Sequence, residues 1–169
     1  DTWSLVRFDL SQIPDDATIN SAWFAAYLYY ASGATNIDLT LCYVSGVWDE
    51  DTVTWNNKPH LVGLDTRTIG STISRWYSWD ATSIVKAWIR NANNTGLALR
   101  GPATSPLFER RFRSRDNKLG NHPRLIISYS TPTPTKTHTA TPTRTPLPTK
   151  TPTWTWTPAC CYPATSSST

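Results

Sequence analysis

The 169-residue sequence predicts an all-β fold, a jelly-roll or immunoglobulin-like β-sandwich with one short helix and an extended C-terminal tail. Short runs of alternating apolar and polar residues, separated by turn residues, are typical of such sandwiches. Nine Trp, seven Tyr and four Phe without Met are an aromatic content typical of β-rich extracellular modules. All seven Gly and all twelve acidic residues precede Asn121, so residues 1–130 form the predicted globular domain.

Several stretches of this domain have the composition of strands. Residues 37–43 alternate apolar and polar side chains, which predicts a half-buried strand. Residues 19–30 are aromatic or apolar at both odd- and even-numbered positions, which predicts a central strand covered on both faces. The predicted strand-forming stretches are 5–10, 19–30, 37–43, 53–55, 72–79, 96–100, 107–115 and 124–129.

One segment has helical spacing instead. Residues 82–90 place Val85, Trp88 and Ile89 at the i, i+3, i+4 spacing of an amphipathic helix, and Asp80 is a suitable residue to cap its start. We expect this helix to cross one end of the sandwich with Trp88 and Ile89 in the core. Trp48 and Trp55 are also predicted to be core residues.

The net charge of +4 does not indicate a nucleic-acid partner. The first 130 residues hold thirteen basic and twelve acidic residues, and a nucleic-acid site needs basic residues clustered on one face. The only cluster is Arg110, Arg111, Arg113 and Arg115. It is either a solvated strand face with ion pairs or a patch for an anionic ligand such as an acidic sugar. No stretch has the length and apolar character of a membrane span.

The sequence carries no motif for catalysis. His60, His122 and His138 have no metal-ligand spacing, and nucleophile-elbow, phosphate-loop and zinc-protease motifs are absent. The acidic run 49–51 suits a solvated turn better than a carboxylate pair or a calcium site. The sequence therefore predicts a non-enzymatic protein without a cofactor, other than covalently attached glycans.

The tail from residue 131 repeats Thr at nearly every odd position up to Thr157. We predict that residues 131–152 form an extended Thr/Pro spacer, because such a segment cannot build a core of its own. Thr/Pro runs are common acceptors for O-linked glycans. The candidate acceptors are Thr131, Thr133, Thr135, Thr137, Thr139, Thr141, Thr143, Thr145, Thr149, Thr151 and Thr153. Asn93 begins the only N-glycosylation sequon.

The last part of the tail, residues 153–169, has a different character. Trp154, Trp156, Cys160 and Tyr162 are all even-numbered, so an extended chain would place them on one face. Such an apolar stripe is typical of a strand that pairs with an incomplete sheet. Insertion into the next subunit, insertion into the same subunit and a flexible linker all remain open.

The three cysteines allow a disulfide between the domain and the tail. Adjacent cysteines rarely pair with each other, so a bridge would join Cys42 to Cys160 or Cys161, within one chain or between two. The alternative is a buried, unpaired Cys42.

Several ordered blocks of the domain resemble one known family. Residues 5–19 (Leu-Val-Arg-Phe-Asp-Leu through Ala-Thr-Ile), residues 48–59 (Trp-Asp-Glu-Asp-Thr-Val-Thr-Trp-Asn-Asn-Lys-Pro) and residues 80–88 are similar to the DNRLRE-type domains of secreted bacterial proteins. The resemblance covers nearly all of residues 4–130 and implies an extracellular jelly-roll sandwich, with some relatives counted among carbohydrate-binding modules. It also implies that an N-terminal edge strand is missing, since only four residues precede the first matching strand.

Two functional hypotheses follow. The first is a secreted structural subunit of a head-to-tail, glycosylated filament, in which the tail completes the neighbouring sandwich. Its partner would be further copies of the same chain. The second is a cell-surface carbohydrate-binding module on a Thr/Pro linker, which contacts polysaccharide through the aromatic side chains of Trp76, Tyr77 and Trp79.

Overall fold

Two antiparallel sheets packed face to face make up the domain. The computed structural model describes residues 3–102 and 108–132 of the chain, and a compact unit spans Asp1–Pro134. The elements in chain order are β1 (Trp3–Val6), β2 (Thr18–Ser32), β3 (Ile37–Ser45), β4 (His60–Ile69), β5 (Arg75–Asp80), α1 (Thr82–Asn91), β6 (Leu97–Arg100), β7 (Glu109–Phe112) and β8 (Arg124–Ser130).

The first sheet, sheet A, has the order β1-β6-β3-β4, and the second, sheet B, is built around the 15-residue strand β2. One edge of β2 pairs with β5 along residues 23–28. Its other edge pairs with β8 along residues 18–25 and with β7 along residues 28–32. Sheet B is therefore three strands wide where sheet A is four, and the two sheets do not cover each other fully on the β1 side.

The core lies between the inner faces of the two sheets. Trp79 of β5 is its largest fully buried side chain, and its indole N–H donates a hydrogen bond of 3.0 Å to the carbonyl of Leu39. The rings of Phe24 and Phe112 lie 5.9 and 6.2 Å from that of Trp79. Because a buried indole N–H needs a partner, this hydrogen bond ties the two sheets together at one point of the core.

Helix α1 spans Thr82–Asn91, as its spacing predicts. Its N-terminal N–H, from Thr82, donates to the Asp80 carboxylate at 2.7 Å, and Val85 and Trp88 are buried against β2 and the core. The last helical residue is Asn91, and Ala92, which caps the C-terminus, has a left-handed φ of 48°. The predicted helix is confirmed, but the prediction of Asp80 as its N-cap was wrong: the N-cap is Ala81, which makes no side-chain capping hydrogen bond, and Asp80 lies one residue earlier.

Three predictions about local structure were wrong. Residues 53–55 form no strand: Asn57 accepts hydrogen bonds from the backbone and hydroxyl of Thr54, which holds a loop. Trp55 is consequently 54% exposed and is not a core residue. Strand β2 is covered on only one face, because Trp23 and Tyr29 of its outer face are 37% and 39% exposed.

A small second cluster covers part of the outer face of sheet A. Cys42 is fully buried there with Val44, Leu61 and Ala98, beneath Trp3, Leu5 and Trp48. Burial raises the pKa of the Cys42 thiol. Cys42 is unpaired in the structure, while Cys160 and Cys161 lie outside the described residues, so the predicted bridge stays a prediction.

Other predictions also fall outside the described residues. These are the candidate acceptors from Thr133 onward, the spacer boundaries 131–152 and 153–169, and the candidate donor-strand residues Trp154, Trp156, Cys160 and Tyr162. Within the described part, Thr131 and Asn93 are both exposed and accessible to modification.

Candidate carbohydrate-binding surface

The outer face of sheet B carries a row of aromatic side chains. Successive residues of a strand point to opposite faces, so Phe24, Ala26 and Leu28 enter the core. The residues that alternate with them, Trp23, Ala25 and Tyr27, point outward. Tyr29 follows at a register irregularity between Leu28 and Tyr30, where its exposed ring lies under Arg113 and also lines the gap between the sheets on the β1 side. β2 thus presents two outward-facing aromatic rings, with a third at the end of their row.

The neighbouring strands extend this row sideways. Trp76 of β5 lies opposite Tyr27, and their rings meet edge to face with centroids 5.4 Å apart. Ile126 of β8, 55% exposed, lies opposite Trp23. Between these two rows the side chains are short, since Ser78 and Ala25 pair across β5 and β2. The result is a shallow depression flanked by aromatic rings.

Two arginines lie over the aromatic rings. Arg124, which pairs with Ala25, extends across the short row until its guanidinium is 4.3 Å from the centroid of Trp76. The guanidinium of Arg113 lies 5.7 Å from the ring of Tyr27 and 5.6 Å from that of Tyr29. Neither arginine takes part in an ion pair in the described part of the chain. Arg113 donates through Nη1 to the side-chain oxygen of Asn117 at 2.7 Å and its Nε is buried, so its second Nη group, together with the guanidinium of Arg124, can bind hydroxyl or carboxylate oxygens of a ligand.

We call this surface the aromatic face. It consists of Trp23, Tyr27, Tyr29, Trp76, Arg113 and Arg124. Apolar faces of sugar rings stack on exposed aromatic rings, and guanidinium groups donate in a fixed, planar arrangement.

Of the three predicted glycan-stacking residues, one belongs to this face. Trp76 is half-buried and points outward beside Tyr27. Tyr77 points inward, where it packs against the core and its ring meets that of Phe112. Trp79 is fully buried, so its prediction as a stacking residue was wrong.

Trp23, Tyr27 and Tyr29 were not among the predicted site residues. Their odd-numbered spacing is a signal for one shared face, but the even-numbered residues of β2 are also apolar. That composition led to the expectation of a strand buried on both sides.

A second aromatic group lies on the other sheet. The rings of Trp3 and Trp55 are 5.3 Å apart, and the ammonium group of Lys58 lies 4.0 Å from the centroid of Trp55 and 5.4 Å from that of Trp3. Lys58 also donates to the carbonyl of Trp55 at 3.0 Å. Because this cation covers both rings, the group is less available to a sugar than the aromatic face.

The arginine cluster divides into separate roles. Arg110 donates to five backbone carbonyls, those of Ser32, Gly33, Thr35, Gly70 and Glu109. Arg111 pairs with Glu109, and its hydrogen bond lowers the pKa of that carboxyl. Arg115 pairs with Glu50 and Asp116. The predicted ion pairs are present for Arg111 on β7 and for Arg115, but Arg115 lies in the turn after β7 and not on the predicted strand, and Arg113 lies over rings of the aromatic face.

The acidic run 49–51 forms a turn. The Asp49 carboxylate accepts from the backbone N–H groups of Asp51 and Thr52 and from the hydroxyl of Thr52. Among residues 3–102 and 108–132, no three His, Cys, Asp or Glu side chains come close enough to hold a metal ion. The helix in the described part of the chain is not long and apolar enough to cross a membrane.

The fold and the aromatic face define a small β-sandwich of the kind that binds ligands on a sheet face. Residues 1–129 match the family described as carbohydrate-binding module family 96, and the chain belongs to that family. The resemblance to carbohydrate-binding modules predicted from the sequence is thereby confirmed at this level. The family's description is that of a binding domain rather than a catalytic one.

Two curated relatives are large proteins that contain a similar segment. The tRNA nuclease WapA of Bacillus subtilis (strain 168) is 30% identical over 133 residues, which are 77% of this chain and 6% of that protein. The tRNA3(Ser)-specific nuclease WapA of Bacillus spizizenii is 28% identical over 109 residues, 64% of this chain and 4% of that protein. The chain therefore spans only a small fraction of the length of these relatives.

Proposed function

We propose that this chain is a non-catalytic module that binds polysaccharide on the aromatic face of sheet B. The observation that carries the proposal is the combination of outward-facing aromatic rings on β2 and β5 with two arginines free of ion pairs in the described part of the chain. Membership of a carbohydrate-binding family supports the ligand class.

The geometry favours an extended glycan over a single sugar. Trp23 and Tyr29 are six residues apart on one strand, which corresponds to roughly 20 Å at about 3.3 Å per residue. A polysaccharide chain lying along β2 would stack on the rings in turn, while Arg113 and Arg124 donate hydrogen bonds from the two sides. Guanidinium groups also favour glycans that carry carboxylates, so acidic polysaccharides should bind more tightly than neutral ones.

The test is affinity electrophoresis and calorimetry of the full chain against a panel of neutral and acidic polysaccharides. The double variant Trp23→Ala/Trp76→Ala should lose binding, because each lost stacking contact of about 1–2 kcal/mol lowers affinity roughly five- to thirty-fold. Trp55→Ala is the matched control, since it removes an exposed indole from the loop between β3 and β4, outside the aromatic face. Equal losses in both variants, or no binding by the unmodified chain, would refute the proposal.

As a second candidate function we propose head-to-tail assembly into an extracellular, O-glycosylated filament. One specific observation favours it, an open groove between the two sheets on the side of β1 and β7. Electron microscopy of the purified chain tests this candidate directly, and a field of uniform single particles would exclude it. Secretion and glycosylation are part of the proposal, and mass spectrometry of the native protein would test the second of them.

A further inference from the structure

A groove of about 1390 Å³ opens along one side of the sandwich. Strand β1 and the residues that follow it form one wall, and strand β7 with the loop after it forms the other. Core residues form the floor, including Phe24, Ala26, Leu39 and Leu99. Small-molecule sites are usually about 300–1,000 Å³, so the groove is large enough for a longer, chain-like ligand.

Both walls end in unpaired strand edges. Among the described strands, β1 pairs only with β6, and β7 pairs only with β2. Their outer backbone N–H and C=O groups therefore face the groove without a strand partner. Such edges are the template for addition of a further strand.

The opposite side of the sandwich is formed by β4 and β5. There β4 and β5 contact each other and are joined by the short connection between Ile69 and Arg75. The opening thus comes from the width of sheet B, which is one strand narrower than sheet A. One added strand between β1 and β7 would cover the exposed part of the core.

The direction of β8 indicates where the occupant comes from. β8 runs antiparallel to β2, from Arg124 opposite Ala25 to Ser130 opposite Thr18. The groove is lined by later residues of β2, from Phe24 to Tyr29. At about 3.3 Å per residue, the chain leaves sheet B roughly 20–35 Å from the groove and heads away from it. A chain that leaves in this direction reaches the groove of a neighbouring copy more readily than the groove of its own copy.

The chain beyond the described residues supplies a segment of matching chemistry. Residues 153–163 contain no charged side chain and place Trp154, Trp156, Cys160 and Tyr162 on one phase of an extended chain, with Thr on the other. The apolar side chains at even-numbered positions could pack against the apolar floor of the groove, while the Thr hydroxyls at odd-numbered positions would face solvent. Pro158 restricts such a strand to an edge or bulged position, as expected of one added at a sheet edge.

We infer that the groove between β1 and β7 is a receiving site for residues 153–163 of a second copy of this chain. This inference rests on the second candidate function and names the residues that would make its contact. The twenty residues 133–152 can span up to about 65 Å when extended, about twice the roughly 20–35 Å that separate the end of β8 from the groove along the strands.

The first test is photo-crosslinking of the full chain. Trp156 is replaced by p-benzoyl-phenylalanine in an isotopically labelled protein, which is refolded together with unlabelled protein and irradiated. We expect mass spectrometry to find crosslinks from position 156 to groove residues such as Leu39 and Leu99 of the differently labelled copy. The same probe at Thr155, on the opposite phase, is the matched control and should give at least five-fold fewer of these crosslinks. Crosslinks only within one copy, to other surfaces, or equally from both positions would overturn the inference.

The second test is sedimentation of full-length variants. Trp154→Ser/Trp156→Ser should convert oligomers to monomers, whereas Thr153→Ser/Thr155→Ser should leave them intact. Both variants should keep the affinity for a short oligosaccharide within about two-fold, so a failure of strand insertion is distinguishable from a failure of glycan binding. A monomeric unmodified chain, or oligomers that persist in the first variant, would overturn the inference.

Discussion

Trp76 and Trp79 lie three residues apart on β5, and the structure predicts opposite effects of replacing them by Ala. Residues three apart in a strand face opposite sides of the sheet. Trp76 lies on the aromatic face beside Tyr27, with Arg124 over its ring. Trp79 is fully buried and donates to the carbonyl of Leu39. One substitution should therefore remove ligand binding, and the other should remove stability.

The magnitudes follow from these contacts. Trp79→Ala removes a large core side chain, which costs about 3–5 kcal/mol, and leaves the Leu39 carbonyl without its partner. Because domains are stable by about 5–15 kcal/mol, this is a large fraction of the total. Trp76→Ala loses one edge-to-face pair and one exposed cation–π contact, about 1–2 kcal/mol together.

Thermal unfolding and calorimetric titration separate the two effects. We expect Trp79→Ala to lower Tm by roughly 10–20 °C, and Trp76→Ala to lower it by about 5 °C or less. Below its own Tm, the Trp76 variant should bind the best polysaccharide of the panel at least five-fold more weakly. If Trp76→Ala keeps full affinity, or destabilises the domain as strongly as Trp79→Ala, the assignment of the two faces of sheet B is wrong.

Three further substitutions or treatments test other parts of the structure. Cys42 should react with Ellman's reagent at least a hundred-fold more slowly in the native protein than in denaturant, because its thiol is fully buried and burial raises its pKa. Asp80→Ala should lower the free energy of unfolding by about 1 kcal/mol at pH 7. Because hydrogen bonds from Thr82 lower the pKa of Asp80, this contribution is present at pH 7 and is lost as the pH falls below about 4. The unfolding free energies of the variant and the parent, measured by denaturation, should therefore converge below that pH. Gly96→Ala should destabilise the domain by about 2 kcal/mol or more in urea titration, because φ is +89° there and a Cβ would lie 2.9 Å from the carbonyl oxygen of Val6.

The strands and the helix were predictable where one periodicity dominates the sequence. Helix α1 follows from the spacing of Val85, Trp88 and Ile89, and β3 from strict alternation over residues 37–41. Strand β4 was missed because Gly63 and a bulge opposite Leu41 and Cys42 interrupt its alternation.

The site was less predictable than the fold, for a physical reason. Aromatic side chains occur both in protein cores and on sugar-binding surfaces, so amino-acid composition does not distinguish the two locations. Trp76, Tyr77 and Trp79 share one strand and one composition, yet only Trp76 points outward. Pairing with β2 decides this, because Trp76 lies opposite outward-facing Tyr27 and Trp79 opposite inward-facing Phe24. Register depends on contacts between distant parts of the chain, which the order of residues within one strand does not reveal.

The aromatic face and the groove share Tyr29 and Arg113, but Trp23, Tyr27, Trp76 and Arg124 do not line the groove, so a strand in the groove leaves most of the aromatic face free. The aromatic face covers the outer side of β2 and β5, whereas the groove opens between the inner side of sheet B and the edge of β1. Strand insertion would place many copies of the aromatic face along one assembly. A polysaccharide that spans several copies would then gain avidity, commonly 10²–10⁴-fold over one site, without any new contact. Binding of long polysaccharide should accordingly weaken in Trp154→Ser/Trp156→Ser while binding of short oligosaccharide does not. If the unmodified chain binds long and short ligands with equal affinity per site, the two functions are not coupled through assembly.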